Sequence, residues 1–245
     1  MEYDLASFQA GLQDLKIVVS DEQMENFLRF YELLVETNKT MNLTAITDFE
    51  SVVEKHFLDS LSLVCLGEPV LSVLENDALV LDLGTGGGFP GIPLKIVYPE
   101  VQMILADSVK KRLGFVDKVI TELGLEEAKT VHGRAEELGV LPDYREKFAL
   151  CVSRAVANIS VLSEYCLPFV KKGGCFVAYK TDSIEEEIRG AKRGISILGG
   201  KIEKIAHFTL PNSDIRRSLV LIRKIKPTPK KYPRRPGVPK KEPMS

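Results

Sequence analysis

The chain of 245 residues contains no tryptophan and only three histidines, and its four cysteines, Cys65, Cys151, Cys166 and Cys175, form no C-x-x-C pair. That spacing excludes the common zinc and dithiol motifs, and the length excludes a disulfide-stapled miniprotein. The cysteines are therefore assigned to packing, with no metal. No apolar run approaches the roughly 20 residues that cross a bilayer, and MEYDLASFQA lacks the basic start and apolar centre of a signal peptide. No membrane role is expected, and the protein is expected in the cytosol as a monomer. Charge of one sign is also missing: the formal net charge is -1 and the mean hydropathy is +0.00. With 44% hydrophobic and 27% charged residues the chain has what a globular core needs.

The near-zero total hides an asymmetry. Residues 223–245 hold nine Lys or Arg against one Glu, which leaves 24 basic against 33 acidic side chains in the other 222 residues. The six prolines of this stretch forbid a continuing helix or a central strand, so a basic, Pro-rich, flexible arm is expected over 226–245. Such an arm suits phosphate contacts, with Arg234 and Arg235 as candidates.

Residues 1–70 have the pattern of a helical extension. Ser20-Asp21-Glu22-Gln23 forms a capping box, followed by Met24, Phe27, Leu28, Tyr31, Leu34 and Val35 on one helical face. Asp48 can cap a second helix bearing Val52, Val53, Phe57 and Leu61. From residue 71 to 225 short apolar runs alternate with amphipathic stretches. Strands are predicted at 78–83, 103–107, 129–132, 148–153, 175–179, 201–209 and 218–222, and helices at 110–123, 159–170 and 183–198. The last two strands lack a helix between them, which predicts a terminal hairpin and one antiparallel strand in an otherwise parallel, seven-stranded, doubly wound α/β sheet.

The first strand runs into Asp82-Leu83-Gly84-Thr85-Gly86-Gly87-Gly88-Phe89-Pro90-Gly91. A glycine turn at the carboxyl end of a strand lets a ligand approach the backbone. Gly86, Gly88 and Gly91 satisfy G-x-G-x-x-G, the fingerprint of an NAD-dependent oxidoreductase, but no Gly-Lys-Ser/Thr of a phosphate loop follows. Asp82, placed at the mouth, would repel a pyrophosphate and suits a cationic ligand such as S-adenosylmethionine. Asp107 ends the second strand, 23 residues after Gly84, where a carboxylate can accept from ribose hydroxyls of either cofactor.

Met41-Asn42-Leu43-Thr44, His56-Phe57-Leu58-Asp59-Ser60-Leu61, the loop 82–93, Asp107-Ser108 with Lys111-Arg112, Gly133-Arg134-Ala135-Glu136-Glu137, Ser153-Arg154-Ala155 and Thr209-Leu210-Pro211 together resemble the ribosomal RNA small subunit methyltransferase G family, also called the glucose-inhibited division protein B family. The resemblance spans about residues 20–222. It implies a class I S-adenosylmethionine-dependent methyltransferase fold, Rossmann-like, and methylation of N7 of a guanine in small-subunit (16S) ribosomal RNA. It further implies that Gly84 and Phe89 line the cofactor, that Ala135 and Glu136 hold its adenosine end and that Arg154 sits beside the site. The basic tail is not part of the shared pattern.

N7 of guanine has a free lone pair and no proton, so positioning, with Arg154 holding the base, is expected to outweigh general-base chemistry. His56 and Asp59, three apart on a helix, can pair near the site. Lys180, Arg216 and Arg217 are candidate RNA contacts. The competing readings are the NAD enzyme and a ribosome-binding protein without catalysis.

Overall fold

The computed structural model describes residues 3–155, 157–182 and 184–244. Seven strands form one sheet in the order β3-β2-β1-β4-β5-β7-β6. They are β1 (Leu79–Leu83), β2 (Gln102–Asp107), β3 (Ala128–His132), β4 (Phe148–Ser153), β5 (Val170–Thr181), β6 (Gly200–Thr209) and β7 (Arg216–Lys224). The first five pair in parallel, whereas β7 runs antiparallel to both β5 and β6, which is the predicted terminal hairpin. Chain order reverses at β1, between β2 and β4, and the open end of that crevice is where a doubly wound sheet binds its ligand.

Period-two alternation splits the sheet into two apolar faces. Val80, Leu105, Val152, Val177 and Leu219 share one core with the N-terminal helices, while Leu81, Ile104, Cys151, Ala178 and Val220 face the other. On the first face lie α1 (Ala6–Asp14), α2 (Asp21–Asn38), α3 (Phe49–Val52), α4 (Asp59–Leu61), α5 (Val70–Leu74), α6 (Gly91–Val97) and α7 (Lys110–Glu122). The short α8 (Ala135–Leu138), α9 (Ile159–Cys166) and α10 (Glu185–Ile197) cover the second, and α11 (Val238–Lys241) lies in the tail. The helix predicted at 183–198 starts on a residue outside those described.

The Ser20 capping box forms in both directions, and the spare Gln23 amide donates to the carbonyls of Ile96 at 2.7 Å and Val97 at 3.2 Å. One cap thus ties the extension to α6. Asp48 caps α3 as expected, but the helix behind it changes pitch, with a π-helical stretch over Val53–Leu58 between α3 and α4. Cys151, Cys166 and Cys175 are buried, whereas Cys65 is exposed, so the packing role assigned to it is corrected.

The basic tail is not an extended solvated arm. Buried Lys224 donates to the Leu167 carbonyl and the Thr228 hydroxyl and pairs with Glu146 at 3.1 Å. Arg145 holds the carbonyls of Thr228, Pro229 and Tyr232. The segment packs on the body because acidic side chains far away in sequence accept its donors, a complementarity that local composition does not report.

Candidate functional site

A cavity of about 700 Å³, within the range of cofactor pockets, opens at the carboxyl ends of β1, β2 and β4. Its floor is the loop after β1. Gly84 and Gly86 line it with φ of +79° and +57°, and a side chain on Gly86 would meet no protein atom, only the cavity. The Gly86 N–H donates to Asp107 Oδ2 at 2.9 Å, and Asp107 Oδ1 accepts from Val109 N–H at 2.8 Å. Asp107 thereby stands on the wall with each oxygen half used, which leaves lone pairs for a ligand hydroxyl. Gly133, Ala135 and Glu136 form the next wall, faced by Leu162 and Tyr165 of α9. Small side chains opposite apolar ones make a slot suited to a flat ring.

Two loop residues take other roles than predicted. Asp82 is fully buried behind the loop and is not on the cavity wall: its Oδ2 accepts from the Thr85 hydroxyl at 2.7 Å and the Gly91 N–H at 2.8 Å, while Oδ1 has no partner. It staples the loop to the start of α6. The approach is so close that a Cβ on Gly91 would lie 2.8 Å from Asp82 Oδ2. Burial pushes the Asp82 carboxyl up to about 6, against its two hydrogen bonds. Gly88 is likewise off the wall and packs against Ile92.

Arg154, just past β4, reaches across to the helical extension. Its Nη1 donates to the Lys55 carbonyl at 3.0 Å and to Asp59 Oδ2 at 2.9 Å, and Nη2 donates to His56 Nδ1 at 3.2 Å. Lys55 and His56 come from the π-helical turn, and Asp59 is the first residue of α4. Since Arg only donates, His56 Nδ1 must accept, which puts the ring proton on Nε2, where it is donated to Thr44 Oγ1 at 2.8 Å. Burial, then the Arg154 charge, pulls His56 down to about 4. His56 stacks on Phe89 with centroids 4.6 Å apart, and the guanidinium lies 5.2 Å from the Phe89 centroid. His56 and Asp59 are thus joined through Arg154 and not to each other.

A second cavity, of about 610 Å³, adjoins the first and shares His56, Arg154 and Ala155 with it; Asp59, Asn158, Tyr179, Lys180 and Arg217 are among the other residues of its wall. Two predicted RNA contacts are committed here. Lys180 pairs with Glu187 at 2.7 Å and donates to the Ala157 carbonyl, and Arg217 Nε holds Asp59 Oδ1 at 3.0 Å. Arg216 remains largely exposed beside Asp182, and Arg235 is exposed. Arg234, by contrast, is spent on buried Glu164, with Nε and Nη2 forking its two oxygens at 2.9 and 2.7 Å. Glu136 is also partly taken, accepting from Gly237 N–H at 2.9 Å.

Sequence reasoning gave no role to Thr44, Tyr165, Gly237 or Lys240, all of which line the first cavity. Thr44 is set by Asn38, whose Oδ1 accepts from the Leu43 and Thr44 amides. Its signal was the Met41 to Thr44 motif; for Gly237 and Lys240 there was none beyond a glycine among prolines.

The profile of the family described as rRNA small subunit methyltransferase G matches residues 23–219. The chain belongs to that family. It is 49% identical to the ribosomal RNA small subunit methyltransferase G of Acetivibrio thermocellus over 96% of this chain and 94% of that protein. Identity is also 49% to the enzyme of the same name from Pelotomaculum thermopropionicum, covering 97% and 98%. Among solved structures, M. jannaschii TYW2 in complex with AdoMet superposes with a TM-score of 0.52 at 13% identity over 63% of this chain and 73% of that one. TrmN from Thermus thermophilus gives 0.51 at 14% identity, over 71% and 53%. The fold is that of the class I methyltransferases, with a helical extension at the N-terminal side, and the NAD-dependent reading is set aside. Among the described residues no helix is long and apolar enough to cross a membrane.

Proposed function

We propose that this protein transfers a methyl group from S-adenosylmethionine to N7 of a guanine in small-subunit ribosomal RNA. The observation that carries the reading, beside family membership, is the meeting of two cavities at Arg154. The first fits the cofactor: a glycine floor that a side chain would fill, a carboxylate with free lone pairs at the end of β2, and a slot for a flat ring after β3. Gly84, Gly86, Phe89, Asp107, Ala135 and Glu136 would hold it. When bound, it supplies an electrophilic methyl on a sulfonium.

The second cavity fits the target base. Three of the donor hydrogens of Arg154 are spent on Lys55, Asp59 and His56, leaving two of its five for the O6 edge of a guanine. No residue needs to take a proton from N7, and His56 has both ring nitrogens committed to other partners. The chain's contribution is orientation, which can be worth roughly 7–11 kcal/mol at best. Asp59, buried between Arg154 and Arg217, fixes the guanidinium that does the orienting.

Tritium transfer from labelled S-adenosylmethionine to unmodified small subunits, followed by mapping of the labelled base, tests the reading. Label at a guanine N7 is expected. Tight subunit binding with no transfer would favour the non-catalytic ribosome-binding alternative.

A further inference from the structure

The tail continues past its anchors to the first cavity. Glu164 on α9 is fully buried, and its carboxylate is satisfied by Arg234, through the backbone N–H at 2.8 Å and the guanidinium. A buried carboxylate left without that partner is costly, so this pair is a latch. It acts on the helix that presents Leu162 and Tyr165 to the cavity. Three residues beyond it Gly237, at φ +83°, turns the chain so that its N–H reaches Glu136, and Gly237 and Lys240 become wall. The family model's match ends at residue 219, past Glu136 and Glu164 but ahead of Arg234 and Gly237.

We infer that residues 234–241 form a strap that closes the adenosine end of the cofactor cavity and belongs to the cofactor-binding site, an inference resting on the S-adenosylmethionine reading above. Lys240 carries donors only, which suits the acceptor nitrogens of a purine ring, and Glu136 carries acceptors only, shared between the strap and the ligand. The strap and the ligand therefore order the same carboxylate. Cofactor affinity then depends on a latch, the Arg234–Glu164 pair, whose two residues are off the cavity wall.

The test uses S-adenosylhomocysteine, the demethylated product, as the probe. Calorimetry compares the full chain with Lys240→Ala and with a chain ending at Pro233 that also carries Glu164→Gln, so that no charge is stranded. Hydrogen exchange follows residues 234–241 of the full chain with and without the probe. Lys240→Ala is expected to weaken binding roughly 3- to 10-fold with an unchanged melting temperature, and the shortened chain by more than about 10-fold. Exchange in the strap should slow about 10-fold on binding. Affinities equal to that of the full chain, with exchange indifferent to the probe, overturn the strap alone. If the shortened chain does not fold, Lys240→Ala and the exchange data decide. No binding to the full chain would overturn the cofactor reading itself.

Discussion

Asp59 and Arg154 meet at 2.9 Å across the boundary between the helical extension and the sheet, and Arg217 takes the second oxygen of the same carboxylate at 3.0 Å. The residues come from an N-terminal helix, the loop after β4 and the hairpin strand β7, so one buried anion sets the mutual placement of three parts of the chain. It also aims the guanidinium shared by the two cavities.

Asp59→Asn should therefore cost both stability and turnover. Removing one partner of a buried pair costs about 3–5 kcal/mol, and the asparagine carbonyl recovers part of that. Misplacing the guanidinium by about 1 Å would lower methyl transfer roughly 100-fold. Product affinity should move by less than about 3-fold, because Asp59 is not on the wall of the cofactor cavity and only the edge that Arg154 shares with the second cavity is disturbed. Denaturant unfolding, single-turnover transfer and calorimetry read the three effects. Transfer at the native rate would show that Asp59 does not act through Arg154.

His56 is neutral near pH 7 and fully hydrogen bonded, so it should hold Arg154 and Phe89 without moving a proton. His56→Ala is expected to keep measurable turnover, reduced by about 10-fold through a looser Arg154. The single-turnover rate of the native protein should be flat from about pH 6 to 8, since no group in reach need lose a proton. A rate that follows a histidine-like titration and vanishes in His56→Ala would make it a base.

How far the sequence carried this picture depends on the reach of each interaction. All seven strands were legible because apolar runs between turn residues are a local signal, and so was the capping box of Ser20 and Gln23. The loop was recognised too, but Asp82 was misplaced. Its neighbour two residues back, Val80, faces the core shared with the N-terminal helices, and period two sends Asp82 to that side, under α6 and away from the cavity. The π-helical turn was hidden because Val52, Val53, Phe57 and Leu61 fit an ordinary helix nearly as well. Prolines and lysines suggested an arm after β7. The groups that fold it back, Glu146, Glu164 and Glu136, lie 82, 70 and 101 residues from their partners, beyond any local pattern.

Asp82 gives stability an unusual pH dependence. Its pKa is raised from 3.8 to about 6, so the folded state binds its proton more tightly than the unfolded state. This contribution is complete below about pH 4 and is lost as pH rises through about 6, amounting to at most roughly 3 kcal/mol. His56 has the opposite sign, its contribution being present above about 6.5 and lost as pH falls through about 4. Asp82→Asn keeps an acceptor for Thr85 and Gly91 and cannot titrate. The stability of Asp82→Asn relative to the native protein should therefore improve steadily between about pH 4 and 7, as followed by thermal unfolding. A constant difference across that range would mean that Asp82 stays charged in the fold.

The folded tail changes what its charge can do. Lys226, Lys230, Lys231, Arg235, Lys240 and Lys241 are exposed, whereas Arg223 grips Glu203, Lys224 is buried and Arg234 holds Glu164. With Lys240 on the cavity wall, five cations are free; at about -0.7 per phosphate contact on a single strand they give a log-log salt slope of at most roughly -3.5, against roughly -6 for nine. Removing the whole tail would strand the Glu164 carboxylate and lower stability, so truncation does not isolate the charge effect. The triple change Lys230→Gln, Lys231→Gln and Arg235→Gln avoids every anchor and leaves the cavity wall intact. It should flatten the salt slope of subunit binding by up to about 2, weaken binding at low salt, and leave both product affinity and melting temperature in place. Filter binding over a salt series measures it. An unchanged slope would show that these three cations face solvent in the complex and that rRNA contacts the body, near Arg216, instead.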